Sequence, residues 1–159
     1  MILWAETEAD ADQFLELIDG YHIFNQIFCA KKGPGSKYLS GKYFVYNLEK
    51  KFLSQEIINA PIKITKLTQW CSPDIIISRN DDPLLVIELT FHTLVYNNVA
   101  QRIPRIAKAA QEKIPAIIFQ RTDYKDDVLL SWYCRSFENL QNIYNSITIP
   151  LLFNDNNTF

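Results

Sequence analysis

The chain has 159 residues, 48% hydrophobic and 21% charged, which is the balance of an ordinary globular domain and excludes a disordered or fibrous one. Its formal net charge of −2 excludes a strongly basic coat, so any nucleic-acid binding must come from a local patch or a bound metal. Three cysteines, Cys29, Cys71 and Cys134, are odd in number and fit no zinc spacing, which argues against a disulfide framework and for a reducing, cytoplasmic setting.

A chain of this length suits one domain that buries about 70% of its unfolded surface. Met1-Ile2-Leu3-Trp4-Ala5-Glu6 has no basic start and no long apolar core, so it does not read as a signal peptide. No run approaches the length of a membrane span.

Thr7 to Ile18 reads as a helix with an acidic first turn, ended by Gly20. Tyr21 to Ala30 is apolar and aromatic, a strand or a buried loop. Lys31-Lys32-Gly33-Pro34-Gly35-Ser36-Lys37 is a basic loop. It lacks the spacing of a nucleotide-phosphate loop and reads as a solvated turn or a backbone contact to DNA. Asn47 to Asn59 reads as an amphipathic helix carrying Glu49 and Glu56. Ile62 to Trp70 alternates as a strand would. Two acid-bearing strands follow. Asn97 to Lys113 reads as a helix, with Val99, Ile103, Ile106, Ala110 and Ile114 inward and Pro104 either in its first turn or kinking it. Pro115 to Gln120 reads as a buried strand, Val128 to Cys134 as a further strand, and Phe137 to Ser146 as a closing helix.

The two acid-bearing strands carry the chemistry. Asp74 lies in Ser72-Pro73-Asp74-Ile75-Ile76-Ile77, and Glu88 in Leu85-Val86-Ile87-Glu88-Leu89-Thr90. Each acid sits in an apolar, β-branched run, with the turn formers of Arg79-Asn80-Asp81-Asp82-Pro83 between them. A hairpin centred on Asp81 would put the two carboxylates on one face, with Cβ atoms roughly 5 Å apart. Burying both without positive charge is costly, and a divalent cation would offset that cost.

Pro-Asp, a spacer of about a dozen residues, then an acid-x-polar triplet ending an apolar strand resembles the PD-(D/E)XK nuclease superfamily, which includes many restriction endonucleases. The resemblance covers the middle of the chain, to the strand ending near Gln120. It implies an α/β fold in which a central mixed β-sheet is flanked by helices. The implied restriction-endonuclease-like αβββαβ core spans about residues 45–135 of a single domain. It implies a metal-dependent DNA endonuclease of restriction type, with Mg²⁺, or Mn²⁺ in its place, held by Asp74, Glu88 and the backbone carbonyl of Leu89. An acid from the preceding helix would join them, Glu49 in preference to Glu56. The family's lysine falls on Thr90, an uncharged residue, so another group must supply its function or the site is weak. A homodimer is expected by analogy, since cutting both strands favours two-fold assemblies.

Strand alternation puts Glu88, Thr90 and His92 on one face, where His92 could act as base or ligand. From the following helix Gln101 could hold a water and Arg102 offset phosphate charge, although Gln101 lies nearly 200° around the helix from Ile103. Arg102, Arg105 and Lys108 recur at spacing three, a basic strip that is either a solvated face or a contact to DNA phosphates. Two rival readings stand beside the nuclease. One is a non-catalytic member of the same fold serving DNA binding or assembly. The other is a plain interaction domain whose acids coincide with a turn.

Overall fold

The computed structural model of the chain describes residues 1–20, 22–32, 38–69, 72–90, 96–121 and 127–153. His92, Cys71 and residues 33–37 of the basic loop lie outside the described residues, while Lys31 and Lys32 of that loop end a strand instead. The fold is α/β, a mixed β-sheet flanked by helices, as expected. It divides into two compact units, Met1–Leu84 and Leu85–Phe159.

The first unit runs β1 (Ile2–Ala5), α1 (Glu8–Ile18), β2 (Gln26–Lys32), β3 (Tyr38–Asn47), β4 (Phe52–Asn59), α2 (Ile62–Thr68) and β5 (Ile75–Arg79). Its strands are ordered β4-β3-β2-β1-β5. β1 is parallel to β2 and antiparallel to β5, which makes the sheet mixed. β1 has four residues, yet Leu3, Trp4 and Ala5 are all buried. The Trp4 ring stacks on Phe28 at 4.5 Å and meets the edge of Tyr43 at 5.1 Å. Its indole N–H donates to the buried Ser78 hydroxyl at 2.8 Å.

α1 packs on β1 and β2 through Ala11, Phe14 and Leu15. It ends at Asp19, whose backbone is left-handed with φ +45°. α2 packs on β3. There Gly41, with φ +70°, admits Thr65, whose hydroxyl would lie 2.7 Å from an added Cβ.

Two expected elements of this unit take the other form. The helix expected over Asn47 to Asn59 is a turn followed by β4. The Asn47 side chain accepts from the Lys50 N–H at 3.0 Å, and Lys51 turns with φ +46°. This places Glu49 in a turn, so the expectation that Glu49 comes from a helix is corrected. The strand expected over Ile62 to Trp70 is instead α2. Ile64 and Leu67, three apart, are buried, while Ile62, the partner that alternation needs, is 71% exposed. The turn into β6 (Asp82–Thr90) uses Asn80 and Asp81, with Asn80 at φ +53°, so its centre lies between them and not on Asp81.

The second unit holds the rest of β6, then α3 (Tyr96–Gln111), β7 (Ala116–Arg121), α4 (Asp127–Tyr144) and β8 (Thr148–Phe153). β6, β7 and β8 are parallel neighbours in that order. Continuous apolar runs such as Ala116 to Phe119 suit parallel strands covered on both faces. α3 packs on β7 and α4, and α4 on β8. Pro104 lies inside α3 and not in its first turn, so Gln101 and Arg102 sit mid-helix instead of opening it. The strand expected over Val128 to Cys134 and the closing helix are one element, α4, because Arg135-Ser136 offers no break between them.

Ser78→Ala should leave the Trp4 indole N–H buried without its acceptor. The expected loss is about 1–3 kcal/mol, seen as a lower urea midpoint with an unchanged slope.

Candidate functional site

In the first unit, β1 and β5 pair antiparallel from Ile2 with Ser78 to Ala5 with Ile75. One step beyond that register Glu6 meets Asp74, and the Glu6 N–H donates to the Asp74 carbonyl at 2.8 Å. Cross-strand neighbours share a face, so the two acids project together. Thr7 then caps α1. Its side chain accepts from the Asp10 N–H at 3.0 Å, and its hydroxyl donates to the Asp10 carboxylate at 2.6 Å. Both bonds run through the Thr7 hydroxyl, and together they fix the direction of Asp10.

The result is a group of three carboxylates, Glu6, Asp10 and Asp74, whose oxygens lie within 4.8 Å of one another. Asp74 is buried, and Glu6 and Asp10 are half-buried. Glu6 also lines a cleft of about 420 Å³ with Thr7, Cys29, Phe44 and Leu53. Oxygen ligands from a few carboxylates, completed by water, suit Mg²⁺ or Mn²⁺. Asp74 thus has an acid from just after β1 and one from the first turn of α1 beside it. Glu6 and Asp10 were not singled out by sequence reasoning. Their signal was present, in the Thr7-x-x-Asp10 cap and in an acid directly after a short apolar run.

The negative charge acts on its neighbours. Burial pushes the Cys29 thiol well above its ordinary value of 9.0, and Glu8, Asp10 and Asp12 push it further. Burial also raises Tyr43 and Tyr46, and the Tyr46 hydroxyl donates to Asp12 at 3.0 Å.

In the second unit, Glu88 is fully buried and Leu89 and Thr90 nearly so. Arg105 donates to the Glu88 carboxylate at 3.1 Å. Arg102 donates to the Leu89 carbonyl at 3.0 Å, with its Nε 3.7 Å from the same Glu88 oxygen. The two groups expected from the resemblance to complete a metal shell are thus in contact with guanidinium groups. Arg102 and Arg105, three residues apart on α3, turn toward β6, with side chains 16% and 20% exposed. Lys108, the third member of the strip, pairs with Glu112 at 2.7 Å. The Thr90 hydroxyl is buried with no hydrogen-bond partner among the described residues, and its register partner on β7 is Gln120, also buried. Gln101 lies in α3, and its side chain is outside the described residues.

No protein-family model matches this chain, and searches of curated proteins and of solved structures return no significant match. No helix among the described residues is long and apolar enough to cross a membrane.

Two outcomes follow from this geometry. Glu88→Ala strands two largely buried guanidinium groups and should cost about 3–5 kcal/mol in urea unfolding. The alkaline stability follows from Cys29, Tyr43 and Tyr46. The fold holds all three protonated to higher pH than the unfolded chain does. Their contribution is complete below the ordinary thiol value of 9.0 and declines as pH rises past it. Urea midpoints should therefore drop between about pH 8 and pH 10.5. Cys29→Ala should flatten that drop.

Proposed function

We propose that the chain is a divalent-cation-dependent hydrolase of DNA phosphodiester bonds, of the PD-(D/E)XK type, and that Glu6, Asp10 and Asp74 hold its cation. The observation that carries this reading is the meeting of the Pro-Asp acid with two further carboxylates, within 4.8 Å. A bound Mg²⁺ or Mn²⁺ would polarise a phosphate and lower the pKa of a bound water. The chain's own part is to aim the ligands. The Glu6–Asp74 backbone bond sets two of them, and the Thr7 cap sets the third. The cleft beside Glu6 gives a phosphate room to approach.

A second reading is a non-catalytic member of the same fold, serving DNA binding or assembly. It is favoured by the arginines on Glu88 and the Leu89 carbonyl and by an uncharged, buried Thr90 in place of lysine. A third reading, an interaction domain with coincidental acids, predicts no saturable cation binding.

Titration with Mn²⁺ should show saturable binding, weakened about tenfold or more in Asp10→Asn and in Asp74→Asn. Cleavage of DNA substrates with Mg²⁺ or Mn²⁺ should be lost in both variants. Cleavage that survives Asp74→Asn would remove the acids from the active site. Cation binding without cleavage, by the wild type and by Thr90→Lys on duplex, branched and single-stranded DNA, selects the non-catalytic reading. Absence of binding selects the third.

A further inference from the structure

We propose that Arg102 and Arg105 stand in for a metal ion at Glu88, and that a latent second divalent-cation site lies beneath them. The donor set is on one stretch of β6: the Glu88 carboxylate, the Leu89 carbonyl and the Thr90 hydroxyl. A carboxylate and a backbone carbonyl side by side are the hard oxygen donors that Mg²⁺ and Mn²⁺ take. Here positive charge from α3 meets both, Arg102 at 3.0 Å from the carbonyl and Arg105 at 3.1 Å from the carboxylate.

The third oxygen is a second, independent observation: a buried polar group beside Glu88 that the arginines do not meet. Thr90 is 1% exposed, it lies on the Glu88 side of the strand, and its hydroxyl has no hydrogen-bond partner among the described residues. A guanidinium only donates, along fixed directions in its plane, and it leaves this oxygen unmet. A spherical ion, unlike a guanidinium, is not held to fixed directions in a plane. The arginines therefore do part of an ion's work, neutralising Glu88, while fixing that charge covalently. It neither exchanges with solvent nor leaves with a chelator, and it keeps its charge at every ordinary pH. The wild-type chain accordingly takes no ion at Glu88. This inference shares with the proposed function only the placing of the exchangeable ion at Glu6, Asp10 and Asp74.

The test counts Mn²⁺ per chain by electron paramagnetic resonance on the 159-residue chain, with folding followed by circular dichroism. Arg102→Ala/Arg105→Ala should bind one Mn²⁺ more than the wild type does, and adding Glu88→Gln should remove that extra ion. If the double variant unfolds in the absence of metal, Mn²⁺ should refold it where sodium chloride of equal ionic strength does not. The proposal is overturned if the folded double variant gains no ion, if the gained ion survives Glu88→Gln, or if Mn²⁺ fails to refold an unfolded variant. A wild-type ion lost on Glu88→Gln also overturns it. The comparison is between variants, so it stands apart from the proposed function. That reading fails separately, if Asp10→Asn and Asp74→Asn leave wild-type binding unchanged.

Discussion

The first unit depends on the register between β1 and β5, which the backbone bond from Glu6 to Asp74 extends by one step. A slip of one residue would send every side chain of β1 to the opposite face. Trp4 would leave Phe28 and Ser78, and Glu6 would turn away from Asp74. The indole bond to Ser78 opposes such a slip, because a buried N–H has few other acceptors to choose from. Packing deep in the sheet thus fixes the position of acids at its end. The apolar contacts supply the energy, and the hydrogen bonds select one register among several that burial alone would tolerate.

The two units carry buried acid in different ways. Glu88 is wholly buried and lies against arginines that α3 delivers three residues apart, so its charge is met by the chain itself. Glu6 and Asp10 stay half-buried, grouped with Asp74, and Glu6 opens onto a cleft. The first arrangement suits structural permanence, since breaking a buried pair is costly. The second suits exchange, since a cation held by partly solvated carboxylates can enter and leave. The Cys29 thiol is raised mainly by its burial, with Glu8, Asp10 and Asp12 adding to it.

Much of this was legible in the sequence where periodicity and turn chemistry agreed. The acid-bearing strands, α3, β7 and α1 lie close to where apolar spacing put them. The failures have particular causes. Ile62 to Trp70 alternates, but Pro61 starts α2 and the buried pair is Ile64 with Leu67. Asn47 to Asn59 has apolar residues enough for a helix stripe, yet β4 leaves Phe52 and Ile57 exposed. β1 is too short to give a period, so Glu6 had no strand to sit on. Without β1, Asp74 had no visible neighbour before it, and its cross-strand partner was sought later in the chain. An acidic first turn complements the helix dipole, which explains the acids of α1 without a ligand. The inward turn of Arg102 and Arg105 was hidden because a spacing of three fits a solvated strip equally well.

The choice between an enzyme and a binding module therefore turns on where positive charge stands, more than on how many acids there are. Hydrolysis of a phosphodiester needs charge that is positioned before the reaction and felt more strongly in the transition state. Thr90 supplies none. Arg102 and Arg105 supply it permanently, but they direct it at Glu88 and the Leu89 carbonyl, where it stabilises the fold. What they spend on Glu88 is not available to a phosphate unless the pair opens, and opening a buried pair carries a penalty of several kcal/mol. A cation at Glu6, Asp10 and Asp74 carries no such commitment. The three carboxylates formally outweigh the charge of a divalent ion, so what such an ion would offer is an exchangeable position, where a phosphate oxygen can take the place of a bound water. The proposed function accordingly rests on these three acids, where charge could exchange, while the arginines and Glu88 belong with the scaffold.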